Sequence, residues 1–318
     1  MAASDLKVVV TIKPFHSLVA AVMQGVSKPV LLFNGNTSPH SYSLRPSEAE
    51  KLQKAELIFW SGEKLEGFLA KPLKSLASKA KLISFQNIYG LQHWPLRSGI
   101  DWQSTEPDSE HSTLHLSEEK TATHSDTDPH NSEHSTVHLS EEKTAHHSDT
   151  DPHIWLDPRN ADIITQYIVE ILSETDPENT AIYQSNGNNI RLRLKKLDQE
   201  LLEKMAAVSK KAYLVFHDAY QYFEKRYQLN SLTSVTLGIG HSTSVQRMME
   251  LQQKIKNNNI ICIFTEPQFS PKLVQTVIAG SSVKKGILDP LGSKIPPGPE
   301  LYFSLLNNLG HSIRMCLN

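Results

Sequence analysis

Histidine and its acidic neighbours are the residues of this chain best placed to do chemistry. Residues 110–130 read EHSTLHLSEEKTATHSDTDPH and residues 133–153 read EHSTVHLSEEKTAHHSDTDPH, a duplication identical at 19 of 21 positions. The copies differ only at Leu114/Val137 and Thr123/His146, and nine of the chain's 15 histidines fall between His111 and His153. Imidazoles and carboxylates at this density suit a borderline-soft divalent metal. The segment has too few large apolar side chains to offset the entropy of ordering it. A mobile surface insertion over about 103–150 is therefore expected, with His111, His115, His124, His130, His134, His138, His146 and His147 as accessory metal-binding residues. The two copies end differently. His130 runs into polar Asn131-Ser132-Glu133, whereas His153 runs into Ile154-Trp155-Leu156-Asp157-Pro158, a return to apolar, ordered sequence. His153 is expected in the fold and His130 only in the insertion.

Two further histidines share the context of His153, standing just past a strand or turn in polar surroundings. His40 lies in Asn36-Thr37-Ser38-Pro39-His40-Ser41-Tyr42, and His217 ends Tyr213-Leu214-Val215-Phe216-His217. Taken singly, each is more simply a surface or hydrogen-bonding histidine. Together, three neutral imidazoles from separate segments can make a tetrahedral site closed by water or a carboxylate. Strand ends are where open parallel sheets present ligands to a cleft.

The elements that must position them alternate between strand and helix. Leu6–Ile12 reads as a strand, followed by the helical stripe Phe15, Leu18, Val19, Val22 and Met23. Strands at Val30–Phe33, Ala55–Trp60 and Lys81–Ser84 are interleaved with a helix opened by the capping pattern Ser47-Glu48-Ala49-Glu50 and another over Glu63–Ala77. After the insertion, Asp157-Pro158 starts a helix whose buried face is Ile163, Ile164, Tyr167, Ile168, Ile171 and Leu172. Asp176-Pro177 opens a longer helix carrying Leu194, Leu197, Leu201, Met205 and Val208 on one stripe. A second series has strands at Ala212–Phe216, Ser231–Val235, Ile260–Thr265 and Gly286–Leu288, and ends in a helix over Pro299–Leu317. The fold class expected is α/β: two lobes, each with a mostly parallel sheet flanked by helices, joined by one long connecting helix. The boundaries read as 5–174, 177–209 for the linker and 211–318, with the metal site in the interlobe cleft.

The formal charge of −2 conceals an acidic 103–150, net −9, on a body of about +7. No dense basic stripe is interleaved with aromatics, so a nucleic-acid partner is not expected. No apolar run approaches the roughly 18–20 residues of a membrane span. Strand-like sequence begins almost at once, so any export signal is expected to be already gone from this chain. Cys262 sits in a buried-strand pattern and Cys316 closes an amphipathic helix, which leaves either two buried thiols or a bridge. A bridge would close a loop of about 55 residues, contribute about 4 kcal/mol in the chain-entropy model, and place the protein outside a reducing cytosol.

Five segments carry a resemblance that covers nearly the whole chain: Ser38–Ser47 (SPHSYSLRPS), His153–Pro158 (HIWLDP), Val215–Tyr220 (VFHDAY), Phe264–Phe269 (FTEPQF) and Leu288–Gly292 (LDPLG). Together they resemble the solute-binding proteins of zinc ABC importers, the ZnuA-like group within the metal-binding class with a rigid helical linker. A His/Asp/Glu-rich loop just before the second histidine is also typical of the zinc-binding members. The resemblance implies His40, His153 and His217 as ligands of Zn²⁺. Manganese-binding relatives place a carboxylate where His217 stands, so three histidines point to zinc. Asp289 matches a carboxylate that ligates metal in some relatives, the other reading being a turn residue before Pro290. Zinc members often have an acid immediately before the first histidine, where this chain has Pro39, so the fourth donor stays open. Glu266 is expected in a helix-start or surface role, with orienting a ligand or receiving a loop histidine as the alternative. His16 and His241 are not expected to be ligands. The resemblance further implies a Cys262–Cys316 disulfide, a periplasmic location and an inner-membrane ABC permease as partner, with an accessory zinc chaperone. The protein itself is expected to be a monomer.

The function expected is therefore zinc capture in the periplasm for import, with the histidine-rich insertion as an accessory capturing or buffering segment. A manganese or broad divalent-metal receptor or adhesin is the alternative. A zinc hydrolase would use the same three-histidine-plus-water arrangement, but the chain lacks HExxH and offers no evident general base, so no enzyme is expected.

Overall fold

In the computed structural model, which describes residues 6–34, 37–97, 102, 150–236 and 243–318, apolar runs covered on both faces make two parallel sheets. The first contains β1 (Val8–Val10), β2 (Val30–Leu31), β3 (Leu57–Trp60) and β4 (Lys81–Ser84) in the order β2-β1-β3-β4. The second contains β5 (Tyr213–Val215), β6 (Ser231–Ser234), β7 (Cys262–Thr265) and β8 (Lys284–Ile287) in the order β6-β5-β7-β8. Every pairing within them is parallel. The two halves thus repeat one topology. The central strands β1, β3, β5 and β7 are buried at every residue, as near-continuous apolar strands between helical layers must be.

Helix α1 (Lys13–Val22) buries the expected stripe, with Phe15, Leu18, Val19 and Val22 fully covered. Helix α2 (Pro46–Gln53) starts earlier than the capping pattern at Ser47 suggests. Pro46 takes the first turn, and Glu48 reaches back to accept the Arg45 amide at 2.8 Å. The helix expected over Glu63–Ala77 is broken into α3 (Glu63–Glu66), a 3-10 turn at Gly67–Leu69 and α4 (Ala70–Leu76). Helix α5 (Pro158–Thr175) opens at the expected N-cap, where the Asp157 carboxylate accepts the Arg159 amide at 2.9 Å. The long helix α6 (Thr180–Ala206) follows a 3-10 turn at Pro177–Asn179.

Helix α6 packs on α5, on α1 and on the last helix, α10 (Leu301–Leu317). Its buried stripe, Leu194, Leu197, Leu201 and Met205, belongs to a hydrophobic core that also takes in β1, β3, β5 and β7. Gly310 on α10 lets the helices approach, since a Cβ there would stand 2.7 Å from Leu201. The other face of the second sheet has its own core, Leu214, Leu232, Ile263 and Val274 among its members, under α8 (Val245–Asn257) and α9 (Lys272–Val277). One compact unit comprises the chain up to Trp102 and from Asp149 onward.

Cys262 on β7 and Cys316 on α10 form a disulfide with their Cα atoms 6.0 Å apart, which ties the terminal helix to the second sheet. Opposite, Lys13 on α1 donates to the carbonyls of Ser293 at 2.7 Å and Ile295 at 3.0 Å. Among the described residues no helix is long and apolar enough to cross a membrane. Six of the expected insertion histidines lie between His111 and His138, and these together with His146, His147 and His241 fall outside the described residues.

Candidate metal centre

Three separate segments bring their histidines to one place. His40 sits on a 3-10 turn, Pro39–Ser41, whose start is set by Pro39 and by the Ser38 hydroxyl accepting the His40 amide at 3.3 Å. His153 immediately precedes the fully buried 3-10 turn Ile154–Leu156. His217 follows β5 and precedes α7 (Gln221–Tyr227). One nitrogen from each ring lies within 4.8 Å of the other two. The Nε2 atoms of His40 and His153 face each other at 3.4 Å. The ring centroids stand 5.4, 5.5 and 6.1 Å apart.

Two of the rings are backed by carboxylates. Asp151 accepts from both the amide of His153, at 2.9 Å, and its Nδ1, at 2.7 Å. Glu266, at the end of β7, accepts from Nδ1 of His217 at 2.5 Å. A carboxylate holds a proton on Nδ1, so Nε2 is the nitrogen left to bind a cation once the ring is neutral. At 3.4 Å the Nε2 atoms of His40 and His153 share either one hydrogen bond or one cation, according to the His40 tautomer. His40 has no such carboxylate partner in the described contacts.

The electrostatics follow burial and neighbours. Burial, then the nearby His153 and His217, lower the pKa of His40 to about 2. Burial also takes His153 well below its ordinary value. His217 moves the other way. Burial alone would lower it, but the carboxylates of Glu266, Asp218 and Asp151 together outweigh burial and the net shift is upward. Burial raises Asp151 to about 7. His153 and Asp151 together make a low-charge half of the site, whereas His217 and Glu266 make an ion-pair half.

The cavity is lined by the three histidines together with Ser38, Pro39, Trp155, Glu266, Gln268, Phe269, Pro290 and Leu291. Trp155 stands edge-on to His153, its ring centroid 5.3 Å away, and its Nε1 donates to the Pro290 carbonyl at 2.8 Å. Trp155, Phe269, Pro290 and Leu291 give the cavity apolar walls, and the lower local dielectric strengthens any charge interaction inside.

Of the residues singled out in the sequence, His40, His153 and His217 come together and Asp289 does not join them. Its Oδ1 accepts the Leu291 amide at 3.1 Å and the Gln268 side-chain amide at 3.0 Å. Its Oδ2 accepts the amide and hydroxyl of Ser293 at 2.6 and 2.7 Å. Both oxygens are thus used in the turn that the alternative reading described. Glu266 is only 3% exposed, so its surface reading is replaced by the orienting one. His16 is buried and hydrogen-bonds through Nε2 to the Pro29 carbonyl at 3.1 Å, apart from the site. Asp151 escaped notice because it closes the acidic repeat, where Asp128 precedes His130 in the same way. The available signal was its i−2 spacing to the one repeat histidine that enters the fold.

The family described as zinc-uptake complex component A, periplasmic, matches residues 8–316. The chain is 40% identical over 311 residues to the high-affinity zinc uptake system protein ZnuA of Brucella suis, covering 98% of this chain and 91% of that one. It is 30% identical over 310 residues to the ZnuA protein of Yersinia pestis, with the same coverages. A crystal structure of ZnuA matches the fold with a TM-score of 0.75 at 22% identity, covering 99% of this chain and 100% of the other. The periplasmic zinc-binding protein TroA from Treponema pallidum matches with a TM-score of 0.72 at 18% identity, covering 99% of each chain. With two like sheets, one long helix and a histidine trio between them, the chain belongs to the ZnuA family of periplasmic zinc-uptake components.

Proposed function

We propose that His40, His153 and His217 bind one Zn²⁺ through their ring nitrogens, and that the protein captures the ion in the periplasm and delivers it to an inner-membrane ABC permease. The observation that carries this reading is the convergence of three imidazole nitrogens within 4.8 Å, two of them backed by buried carboxylates. Histidine with an outer carboxylate is a combination that fixes the tautomer and raises ligand basicity. The Brucella and Yersinia relatives are themselves named as high-affinity zinc uptake proteins.

Binding fixes zinc between segments from both halves of the chain, His40 and His153 on one side and His217 on the other. Neutral imidazoles are required, so the ion displaces the proton held at His217. Among the described residues the carboxylate lining the cavity, Glu266, is engaged with His217, and the reading assigns the protein no catalytic step. The histidine-rich segment supplies weaker, accessory zinc capture in this reading. The receptor acts as a monomer, and an accessory periplasmic chaperone can load it.

The test is a competitive Zn²⁺/Mn²⁺ titration of metal-stripped protein lacking residues 106–148, a deletion that keeps Thr150 paired with Pro95. One tight, zinc-preferring site that disappears in His217→Ala supports the reading. Loss of the tight site on deletion alone would put the receptor site in the repeat and sink it.

A further inference from the structure

The fourth coordination position can be assigned from two unusual contacts beside the histidines. Asp289 cannot reach into the trio without giving up the turn it holds, since Leu291, Ser293 and Gln268 together donate four hydrogen bonds to its two oxygens. Pro39 has no side-chain donor to offer. Gln268, however, lines the same cavity as His40, His153 and His217. Its Nε2 donates to Asp289 Oδ1 at 3.0 Å. A carboxylate only accepts, so this contact fixes which end of the amide is which. The other end, Oε1, is buried and has no hydrogen-bond partner. A buried carbonyl oxygen without a donor carries a desolvation cost that a cation or its bound water relieves.

We propose that Gln268 determines metal specificity: Asp289 holds its amide so that Oε1, a neutral oxygen, is directed at the fourth position of the metal on the three histidines. The proposal rests on the three-histidine reading. Asp289 then acts through Gln268 as a positioning residue and not as a ligand. The chemical consequence is a site of three nitrogens and one uncharged oxygen. Such a donor set suits four-coordinate zinc. Manganese favours carboxylate and a higher oxygen count, which the amide withholds.

The experiment loads metal-stripped full-length protein with Co²⁺ as a spectroscopic stand-in and measures Zn²⁺ and Mn²⁺ affinity in Gln268→Glu, Gln268→Leu and Asp289→Asn. Wild type is expected to show the intense visible bands of four-coordinate cobalt. In Gln268→Glu the added carboxylate should raise the coordination number, weaken those bands and move the Zn²⁺/Mn²⁺ affinity ratio at least about tenfold toward manganese, the scale of outer-ligand effects. Gln268→Leu should alter the cobalt bands and weaken zinc about tenfold or more. Asp289→Asn should change the spectrum in the same direction but by less, because the freed amide can still turn its oxygen inward. An unchanged spectrum and affinity ratio in both Gln268 variants would overturn the proposal, as would a larger zinc loss in Asp289→Asn than in Gln268→Leu. Absence of any cobalt spectrum in wild type would instead reject the three-histidine site itself. Gln268→Glu loses the amide donor to Asp289 just as Gln268→Leu does but keeps an oxygen of the same reach, so it serves as the control for Gln268→Leu and must still shift the ratio.

Discussion

The two sheets share one strand order, and each has a crevice where the order reverses, between β1 and β3 in the first and between β5 and β7 in the second. Open α/β sheets bind ligands at such points, yet here the two crevices are used in opposite ways. In the second, His217 follows β5 and Glu266 follows β7, and their hydrogen bond at 2.5 Å spans the crevice. In the first, the matching strand ends carry Thr11 and Ser61. Both donate to one oxygen of Glu66, at 3.0 and 2.7 Å. Glu66 is fully buried and its other oxygen has no partner. Burial pushes its pKa to about 7. Each crevice therefore holds one buried glutamate. Where its partner is an imidazole, the carboxylate stays useful to a metal. Where its partners are a hydroxyl and an amide, it merely fills the space, and the first half supplies its ligands from His40 and His153 elsewhere.

The strongest way to break this comparison is to remove the imidazole. His217→Ala should cost more zinc affinity than the roughly 100-fold upper range for outer-shell partners, and isothermal titration against a competing chelator would measure it. A variant that kept tight zinc would show that the second crevice is no more a metal site than the first.

Next in size is the contrast between the two glutamates. Glu266→Gln should weaken zinc about 10- to 100-fold, whereas Glu66→Gln should leave it within about twofold, since the hydrogen bonds of Glu66 go to Thr11 and Ser61 and not to a histidine. The pH dependence follows from the same residues. His217 holds its proton to a pH above its ordinary value because of Glu266. Zinc must displace that proton, so affinity should fall as pH drops through the raised pKa, by about tenfold per unit for each proton displaced. Asp151, at about 7, adds to the fall in the same window. His40 and His153, already neutral there, add nothing. Glu266→Gln should shift the His217 part of the fall to lower pH. A profile unmoved by that change would remove the ion-pair half of the site.

The sequence made much of this legible, because much of it is local. Eight strands, the Asp157 cap and the buried stripe of α1 all follow from short-range apolar periodicity and turn chemistry. The histidine trio was legible only through the resemblance of five blocks, since nothing in the spacing of His40, His153 and His217 announces a meeting. The carboxylates were hardest. Asp151 hid in an acidic repeat, and Glu66 stands in a stretch that reads as the polar face of one helix over Glu63–Ala77. That helix breaks at Gly67, which turns Glu66 toward the strand ends. Whether a glutamate is surface or core was decided by the break and by the sheet beneath it, neither of which is encoded within a few residues of Glu66.

A third test concerns stability alone. In the folded chain Glu66 is protonated up to about pH 7, whereas unfolded it ionises near 4.5. Between those values the native state binds the extra proton, so rising pH weakens the fold. Glu66→Gln removes the titration while keeping an acceptor for Thr11 and Ser61. Thermal melts of the metal-free protein should show the variant gaining on wild type from pH 5 to pH 8, by a differential on the order of 3 kcal/mol. Equal pH slopes for the two would mean that Glu66 is not buried with an empty oxygen.

The smallest expected effect isolates the hydroxyl that distinguishes the first crevice. Thr11 is fully buried, and its Oγ1 donates to Glu66 at 3.0 Å. Thr11→Val keeps the β-branched shape at the strand end and removes that donor, leaving Glu66 with the Ser61 amide alone. The loss should be about 1 kcal/mol, the net worth of one such bond. Because the bond favours the ionised carboxylate, its removal should also push the Glu66 transition to higher pH. Zinc affinity should not change. In the double variant Thr11→Val/Glu66→Gln the upward shift must vanish, since no titrating group remains, while any stability loss that persists belongs to packing of the strand end. A zinc affinity that fell in Thr11→Val would mean that the first crevice reaches the metal after all, and that the two halves of the chain are less different than their glutamates suggest.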